Sequence, residues 1–446
     1  ANQLSGNEEV CVDDVIGDDN VLTSQDGRVL VRGNVEGDTN TLDAYTDVQT
    51  YGSVIGDGNW LGAQTGDVQV DKDVIGDSNT LYALEGDVHV HGNLQGDANT
   101  LISVSGDSVD VYGTISGEGN ELSAQRGSLF IGGIDGTNTI ATAQKTAHVG
   151  ALSGEGTQLL AYANGLSKDD TAISIDEFNA QDSSVGIATY TSDEYGYASG
   201  NGSIYIGTMS AVDGAVDEDA CNYIYSPHSY VEIGALNGSN AYTEIDAATW
   251  IYMGYGSEGQ DTASNMELYA QVLSVGSEEG LVLTDSTINT PQAIEGTSLT
   301  LNGDSVAATA GVYLDNLTLG DNAILRATEA QIADTLTLDG TRVTFDVTKV
   351  DTTTLVLRNN ADLAASRVGA ENLVVKDSTF ALTSIDGIQS LKIEHSKGTI
   401  KQALNGLSGD VEIVDGETNE VEIADGDTTN TPPMMLMMAM PFSGDQ

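Results

Sequence analysis

The feature that most constrains this chain is an eight-residue phrase that recurs about every twenty residues. It occurs as VIGDDNVL from Val15, VIGDGNWL from Val54 and VIGDSNTL from Val74, with looser copies from Val35 and Leu94. The intervals between the glycines of successive phrases are 20, 19, 20, 20, 21 and 19 residues. These glycines are Gly17, Gly37, Gly56, Gly76, Gly96, Gly117 and Gly136. A fixed period in this range is typical of stacked structural repeats.

Each period holds two segments in which apolar and polar residues alternate, as expected of a strand buried on one face. One segment follows an asparagine, and the other has forms such as RVLVRG, GDVHVHG and SLFIGG. The asparagines are Asn20, Asn40, Asn59, Asn79, Asn99, Asn120 and Asn138. The apolar positions that follow them are Leu22, Leu42, Leu61, Leu81, Leu101, Leu122 and Ile140.

Two short strands per period, joined by turns rich in Gly, Asp and Asn, predict one coil of a parallel β-solenoid. In such a coil the glycine of the phrase supplies a positive φ at a corner, and Asp and Asn bond to the nearby backbone. The asparagines would stack as a ladder of amides from coil to coil. The predicted fold class is therefore all-β, a parallel β-solenoid (β-helix) of about twenty coils with loop insertions in the middle.

Beyond residue 280 the period shortens to 18–20 residues. Its apolar anchors are Leu283, Leu301, Leu319, Leu338, Leu357, Val375, Ile393 and Ile413. Between the two regular parts the spacing is ragged, and eleven of the 17 tyrosines lie from Tyr190 to Tyr269. The predicted segments are an N-terminal arm (1–14), a solenoid of 20-residue coils (15–165), irregular Tyr-rich coils with insertions (166–280), a solenoid of 18–19-residue coils (281–427) and an apolar Met-rich tail (428–446).

The repeats carry a family resemblance. The coil of about twenty residues resembles the repeats of filamentous-haemagglutinin-type adhesins, and LTLNGDSV, from Leu299, is similar to autotransporter passenger repeats. The resemblance spans most of the chain and implies extracellular adhesion or scaffolding. It brings no catalytic residue with it, and the alternating strands of a C-terminal membrane barrel are absent from the sequence.

The net charge of the chain limits the classes of partner it can bind and helps to predict its location. Acidic residues number 68 against 15 basic ones, a formal net charge of −53, and such a surface repels the phosphates of nucleic acids. High acidity with few lysines and cysteines is typical of secreted and surface-layer proteins. We interpret the start at Ala1 as that of a mature exported form, and we expect an extracellular or cell-surface location. No apolar run is long enough to predict a transmembrane segment.

An acidic column is the candidate cation site. Successive members lie one coil apart, so neighbouring carboxylates about 5 Å from each other would repel by about 1 kcal/mol in water. Bound Ca²⁺, which takes oxygen ligands, would relieve that repulsion. The alternative is a row of solvated turn residues screened by salt. The column consists of Asp18, Asp38, Asp57, Asp77, Asp97 and Glu118.

Other sequence patterns give little support for a metal site or a catalytic site. His89 and His91 share a strand face, but no third metal ligand accompanies them, so two solvent-facing histidines are the simpler interpretation. The chain lacks the GxSxG, HExxH and phosphate-loop motifs, and its basic residues are scattered. We therefore predict a protein that is not an enzyme, with no catalytic residues.

The two cysteines favour contacts between molecules. Cys11 precedes the first predicted coil and Cys221 follows nine or ten coils later, which places them on the order of 45 Å apart at the spacing of stacked strands. A disulfide needs Cα atoms within about 7 Å. The cysteines are therefore either thiols or bridges to another molecule, and a secreted chain favours intermolecular disulfides.

The C-terminal tail contains an apolar cluster that predicts either an end cap or a peg that docks into a neighbouring molecule. The favoured function is a secreted structural protein that self-assembles into a cell-surface fibre, sheath or layer, with surface polysaccharide as a further partner if it is adhesive. The alternative is a carbohydrate-active β-helix, either a polysaccharide lyase or a tailspike-like glycosidase. The tail cluster consists of Met434, Met435, Leu436, Met437, Met438, Met440 and Phe442.

Overall fold

The fold was obtained as a computed structural model. It describes residues 2–163, 165–179, 184–189, 202–210, 221–239, 242–255, 257–365, 367–382, 385–387, 389–404, 411–414 and 420–425. Every regular element in these ranges is a β-strand, and the strand pairs are parallel. Stacked coils of such strands confirm the predicted all-β parallel solenoid. Over the same ranges, no helix has the length and apolar character needed to cross a bilayer.

The chain divides into two compact units, Ala1–Thr249 and Trp250–Gln446. In the first unit the strands form three ladders that run through successive coils. The first ladder consists of Gln3–Gly6, Val21–Ser24, Thr41–Ala44, Trp60–Ala63, Thr80–Ala83, Thr100–Ser103, Glu121–Ala124, Ile140–Ala143, Gln158–Ala161, Gly186–Thr189, Asn222–Ser226 and Thr243–Ala247.

The second ladder lies half a coil further along the chain, and the third is made of two-residue strands that join the second ladder at Ser108–Ser116. The second consists of Glu9–Val12, Arg28–Val31, Val48–Thr50, Val68–Val70, Val88–Val90, Ser108–Ser116, Ser128–Ile134, Ala147–Leu152, Thr171–Asn179, Ser203–Ser210 and Val231–Ser239. The third consists of Val15–Ile16, Val35–Glu36, Val54–Ile55, Val74–Ile75 and Leu94–Gln95.

The third ladder corrects the prediction of two strands per coil. The first two residues of the recurring phrase pair with their counterparts in the next coil, as Val54 and Ile55 do with Val74 and Ile75. The corner therefore begins at the glycine. Gly56 has φ +127, and a Cβ there would lie 2.2 Å from the carbonyl oxygen of Gly37, so a residue with a side chain does not fit.

The core of the first unit consists of columns of identical or similar apolar side chains. Leu42, Leu61 and Leu81 lie in register in the first ladder and are fully buried. Burial of one such leucine stabilises the fold by about 2 kcal/mol. The same stacking brings valines of the second and third ladders into the interior, among them Val68 and Val74.

Two predicted assignments near residue 139 are wrong by one position. Leu122 is in register with Ala141, and Ile140 is exposed at 42%. Thr139, which is fully buried, therefore follows Asn120 in its column, while Asn138 is an exposed corner residue with φ +53. The corner from Gly136 to Ala141 has the same length as the corner from Gly117 to Leu122. The asparagine of this coil stands one position earlier, at the turn position that Gly119 occupies in the preceding coil, so counting from the asparagine misplaced the strand by one residue.

Residues 3–12, which the sequence analysis set apart as an arm, form strands of a first coil. Leu4 is in register with Leu22, and Cys11 with Leu30. This segment escaped prediction because it lacks the glycine phrase.

In the second unit, the four strands between Thr287 and Arg358 are 14–16 residues long and continue around corners, whereas the other strands are shorter. The bounds are Trp250–Met253, Asp261–Ser264, Met266–Tyr269, Val272–Val275, Leu281–Thr284, Thr287–Asn302, Val306–Leu319, Ile324–Asp339, Thr344–Arg358, Asp362–Ala365, Arg367–Lys376, Thr379–Leu382, Ile385–Asp386, Ser390–Glu394, Lys397–Leu404, Val411–Val414 and Glu420–Asp425.

The apolar anchors predicted for this unit are confirmed. Leu283 is in register with Leu301, and the same pairing continues coil by coil to Ile393 and Ile413. The spacing of 18–20 residues is therefore the length of one coil.

Candidate functional site

The edge of the first coil is the first candidate site. Its strands Gln3–Gly6, Glu9–Val12 and Val15–Ile16 pair with the second coil on one side. On the other side no strand of the described residues pairs with them. A parallel strand with one neighbour leaves half of its N–H and C=O groups available to another chain.

An exposed leucine marks this edge. Leu4 occupies the column of Leu22, Leu42 and Leu61, yet it is 46% exposed whereas Leu22 is 5% exposed. Val10 and Val15 of the same coil are buried and Val12 is half-buried, whereas the exposed Ile16 belongs to a column that contains Glu36 rather than core residues. The edge therefore presents one core-type side chain beside strand backbone, which is what a further coil would cover.

The predicted acidic column exists, and it has a structural role. Within the column, Oδ1 of each aspartate accepts a hydrogen bond from the backbone N–H of the next member. The donor–acceptor distances are 2.9 Å for Asp38 N to Asp18 and 2.8 Å for Asp77 N to Asp57. The remaining bonds, at 2.7–2.8 Å, join Asp57 N to Asp38, Asp97 N to Asp77 and Glu118 N to Asp97.

One carboxylate oxygen of each aspartate is therefore committed to the neighbouring coil. Within the residues that the structure describes, no group of three or more His, Cys, Asp and Glu side chains is arranged to hold a metal ion. Calcium binding by this column stays a prediction.

Sequence reasoning missed two further columns of the same kind. In one, Asp67 N donates to Asp47 Oδ1 at 3.0 Å and Asp87 N to Asp67 Oδ1 at 2.9 Å. In the other, Asn34 N donates to Asp14 Oδ1 and Ser53 N to Asn34 Oδ1. The 20-residue spacing of Asp47, Asp67 and Asp87 could have revealed the first of these.

The asparagine ladder is buried, and its hydrogen bonds run in the opposite direction to those of the acidic columns. Here the residue of the earlier coil donates and the residue of the later coil accepts. Backbone N and Nδ2 of Asn59 both donate to Oδ1 of Asn79, at 2.9 and 3.0 Å. Asn79 makes the same two bonds to Asn99 at 2.9 and 3.1 Å. Because these amides are fully buried, each needs its neighbour to satisfy its polar groups.

The two cysteines lie in the same unit but far apart along it. Cys11 is exposed on the second strand of the first coil, and Cys221 precedes Asn222–Ser226 with its Sγ donating to the Asn222 carbonyl at 3.3 Å. Ten successive pairings of the first ladder separate these coils, on the order of 50 Å at the usual strand spacing. This separation agrees with the sequence estimate, and intermolecular bridging stays a prediction.

The histidines lie on the outer side of the second ladder and face different partners. His89 Nδ1 lies 2.9 Å from Asp110 Oδ2 in the next coil, and this hydrogen bond raises the pKa of His89. His91 Nδ1 lies 3.6 Å from Asp71 in the preceding coil, and its ring stacks on Tyr112 at 5.2 Å. Each imidazole thus has its own carboxylate, so the pair does not converge on one metal position.

Aromatic rings that lie over glycines form a feature that sequence reasoning missed. Trp60 covers Gly62, since a Cβ at that glycine would lie 2.6 Å from Trp60 Nε1, and Tyr313 covers Gly311 at the same distance. Both rings are more than a third exposed. An aromatic residue two positions from a glycine on an alternating strand is the signal that could have revealed them.

The apolar cluster of the tail, from Met434 to Phe442, lies outside the described residues. Searches with the chain against protein-family models, curated proteins and solved structures returned no match. The resemblance to filamentous-haemagglutinin and autotransporter-passenger repeats therefore rests on the sequence pattern.

Proposed function

We propose that the protein is a secreted structural solenoid that self-assembles end to end at the cell surface. The observation that carries this proposal is the exposure of Leu4 in a column whose other leucines are buried. A coil of a second copy, stacked on Gln3–Gly6, would continue the column and pair with the unoccupied side of the strand.

The register of the first unit supports parallel continuation. Every described coil of the first unit pairs with the next through parallel strands, and continuing this pattern requires an added coil to enter in the same direction. This requirement favours head-to-tail stacking, which produces open filaments rather than closed dimers.

The charge of the chain sets the conditions for assembly. Two copies that each carry −53 repel one another at low ionic strength, and salt screens this repulsion over about 10 Å at 0.1 M. Apolar burial and strand pairing are screened far less. We therefore place the assembled form in salt-rich extracellular surroundings, with itself as the principal partner and surface polysaccharide as a further one.

The test is sedimentation velocity combined with negative-stain imaging of the full chain, from about 0.02 to 0.5 M NaCl. The proposal predicts filaments whose proportion rises with salt and with protein concentration. Single subunits at every condition would contradict it. The alternative, a lyase or glycosidase of the β-helix type, predicts release of products from polysaccharide by those single subunits.

A further inference from the structure

A polar groove crosses several coils of the second unit. Its volume is about 930 Å³. Its floor is a column in register from coil to coil, in which Gly296 is half-buried and the other members are buried. Four steps between coils span on the order of 20 Å, so the groove suits an extended ligand better than a compact one. The floor column consists of Gly296, Leu314, Ile332, Thr352 and Ala370.

One wall of the groove carries an aromatic ring held in a fixed position. The Tyr313 ring lies over Gly311, where a Cβ would approach it to 2.6 Å. Its hydroxyl donates to Glu329 Oε1 at 2.5 Å, and this hydrogen bond raises the pKa of Tyr313, so the phenol stays neutral. The side chain remains 39% exposed. A ring fixed before binding loses little conformational entropy when a ligand stacks on it.

The polar side chains of the walls include both donors and acceptors. Lys349 Nζ lies 2.6 Å from Asp351 Oδ2, and each side chain is at least 40% exposed. Gln331 and Glu371 complete the set on either side of the floor. Hydroxyl groups of a sugar both donate and accept, so each could find a partner here.

The charge of the groove excludes polyanions. Among its lining residues Asp315, Asp351 and Glu371 are acidic, whereas Lys349 is basic and already paired with Asp351. A uronic-acid polymer or a phosphate-bearing chain would meet this excess negative charge and that of the whole protein. A neutral ligand meets no such repulsion.

We propose that this groove binds a neutral oligosaccharide laid across the coils, with one sugar ring stacked on Tyr313. The apolar face of a pyranose fits the exposed ring, and its hydroxyls reach Gln331, Lys349 and Asp351. This binding does not depend on assembly through the first coil. It adds a specific glycan contact to a structural solenoid.

The test is isothermal titration calorimetry of the full chain with five probes: cellohexaose, xylohexaose, mannohexaose, laminarihexaose and trigalacturonic acid. At least one neutral hexasaccharide is expected to bind, and trigalacturonic acid is not. Tyr313→Ala is expected to raise the Kd at least about fivefold, because it removes the stacking surface. Ala333→Trp places a bulky side chain at an exposed lining position and is expected to abolish binding.

The matched control is Tyr112→Ala, the same chemical change at an exposed tyrosine of the first unit, which is expected to bind like the unmodified chain. Circular dichroism establishes that each variant retains its β-signal. The proposal is overturned if no neutral hexasaccharide binds, if Tyr313→Ala or Ala333→Trp binds unchanged, or if trigalacturonic acid binds more tightly than the neutral probes.

Discussion

Asn79 donates from both its backbone nitrogen and its Nδ2 to the same oxygen, Oδ1 of Asn99 in the next coil. Both residues are fully buried, so the ladder supplies the contacts of both Asn79 donors and of Asn99 Oδ1 that water cannot, whereas Nδ2 of Asn99 has no hydrogen-bond partner among the described residues. The bond pattern explains why the phrase repeats its asparagine at nearly every coil of the first half.

Asn79→Asp is expected to destabilise the first unit by about 2–4 kcal/mol at neutral pH. The substitution replaces the donor to Asn99 with an acceptor and buries a charge. Burial raises the pKa of the introduced carboxyl in the folded chain above its unfolded value, and protonation removes the charge and restores a donor. The loss should therefore shrink as the pH falls through the folded pKa towards about 4, and stay constant below that. Urea denaturation followed by circular dichroism measures the change.

Asn138→Asp is the control for that substitution. Asn138 is exposed at a corner with a positive φ that aspartate tolerates, and its Nδ2 donates to Glu118 Oε1 at 3.4 Å. Because this contact is exposed to solvent, replacing it by two neighbouring carboxylates should cost no more than about 1 kcal/mol. Equal losses in the two variants would show that the buried ladder does not contribute as argued.

Substitutions in the acidic column distinguish a hydrogen-bonding role of its aspartates from a role in calcium binding. Asp57 Oδ1 accepts the Asp77 N–H, a bond that an asparagine can also accept. Asp57→Asn should therefore be as stable as the unmodified chain, or more so because like charges are removed, whereas Asp57→Ala should lose about 1 kcal/mol.

Thermal unfolding with millimolar CaCl2 or with NaCl of equal ionic strength completes this test. Equal shifts in Tm indicate screening alone. Calcium binding by the column would be established if the shift in Tm is larger with Ca²⁺ than with NaCl and if Asp57→Asn reduces this excess.

His89 should make the stability of the first unit depend on pH. Its hydrogen bond with Asp110 raises its pKa in the folded state above that of the unfolded chain. The stabilisation is therefore fully present below the unfolded pKa and is lost as the pH rises through the folded pKa.

The measurement compares the Tm of the unmodified chain with that of His89→Gln at about pH 5.5 and 8.5. We expect the Tm of the unmodified chain to exceed that of His89→Gln by a larger amount at the lower pH. The other groups facing His89 are Asp67 and Asp87, which act in the same direction. A difference that is independent of pH would contradict the assignment.

The cysteines predict covalent links between subunits. If Cys11 of one copy pairs with Cys221 of another, oxidised protein should give a ladder on a non-reducing gel that collapses to 46.4 kDa on reduction. Cys11→Ser should remove that ladder. A single monomer band from oxidised, unmodified protein would argue against intermolecular pairing.

Periodicity predicted the parts of the fold in which one residue type recurs at one coil length. The leucine column through Leu61, the asparagine ladder and the anchors from Leu283 onward are such cases. The third ladder was not predicted, because strands of two residues, such as Val54–Ile55, are too short to show an alternation of apolar and polar residues.

The candidate sites were less predictable, since they depend on register between residues that differ from coil to coil. The groove brings Tyr313, Gln331 and Asp351 side by side because the offset between paired residues is 18 for the first step and 20 for the second. These offsets change further along the same strands, so they cannot be read from one fixed period. Leu4 is of the same residue type as the buried leucines of its column, so the pattern of the repeat does not predict its exposure.

The central claim is that the first coil stacks on another copy, and Leu4→Glu tests it most directly. The control is Ile16→Glu, because Ile16 is 70% exposed on the same coil and is in register with Glu36, so its column already accommodates glutamate. Both variants gain the same charge. Sedimentation velocity at about 0.5 M NaCl is expected to show assembly of the unmodified chain and of Ile16→Glu, with Leu4→Glu remaining as single folded subunits. Assembly of Leu4→Glu to the same extent as the unmodified chain would contradict the claim.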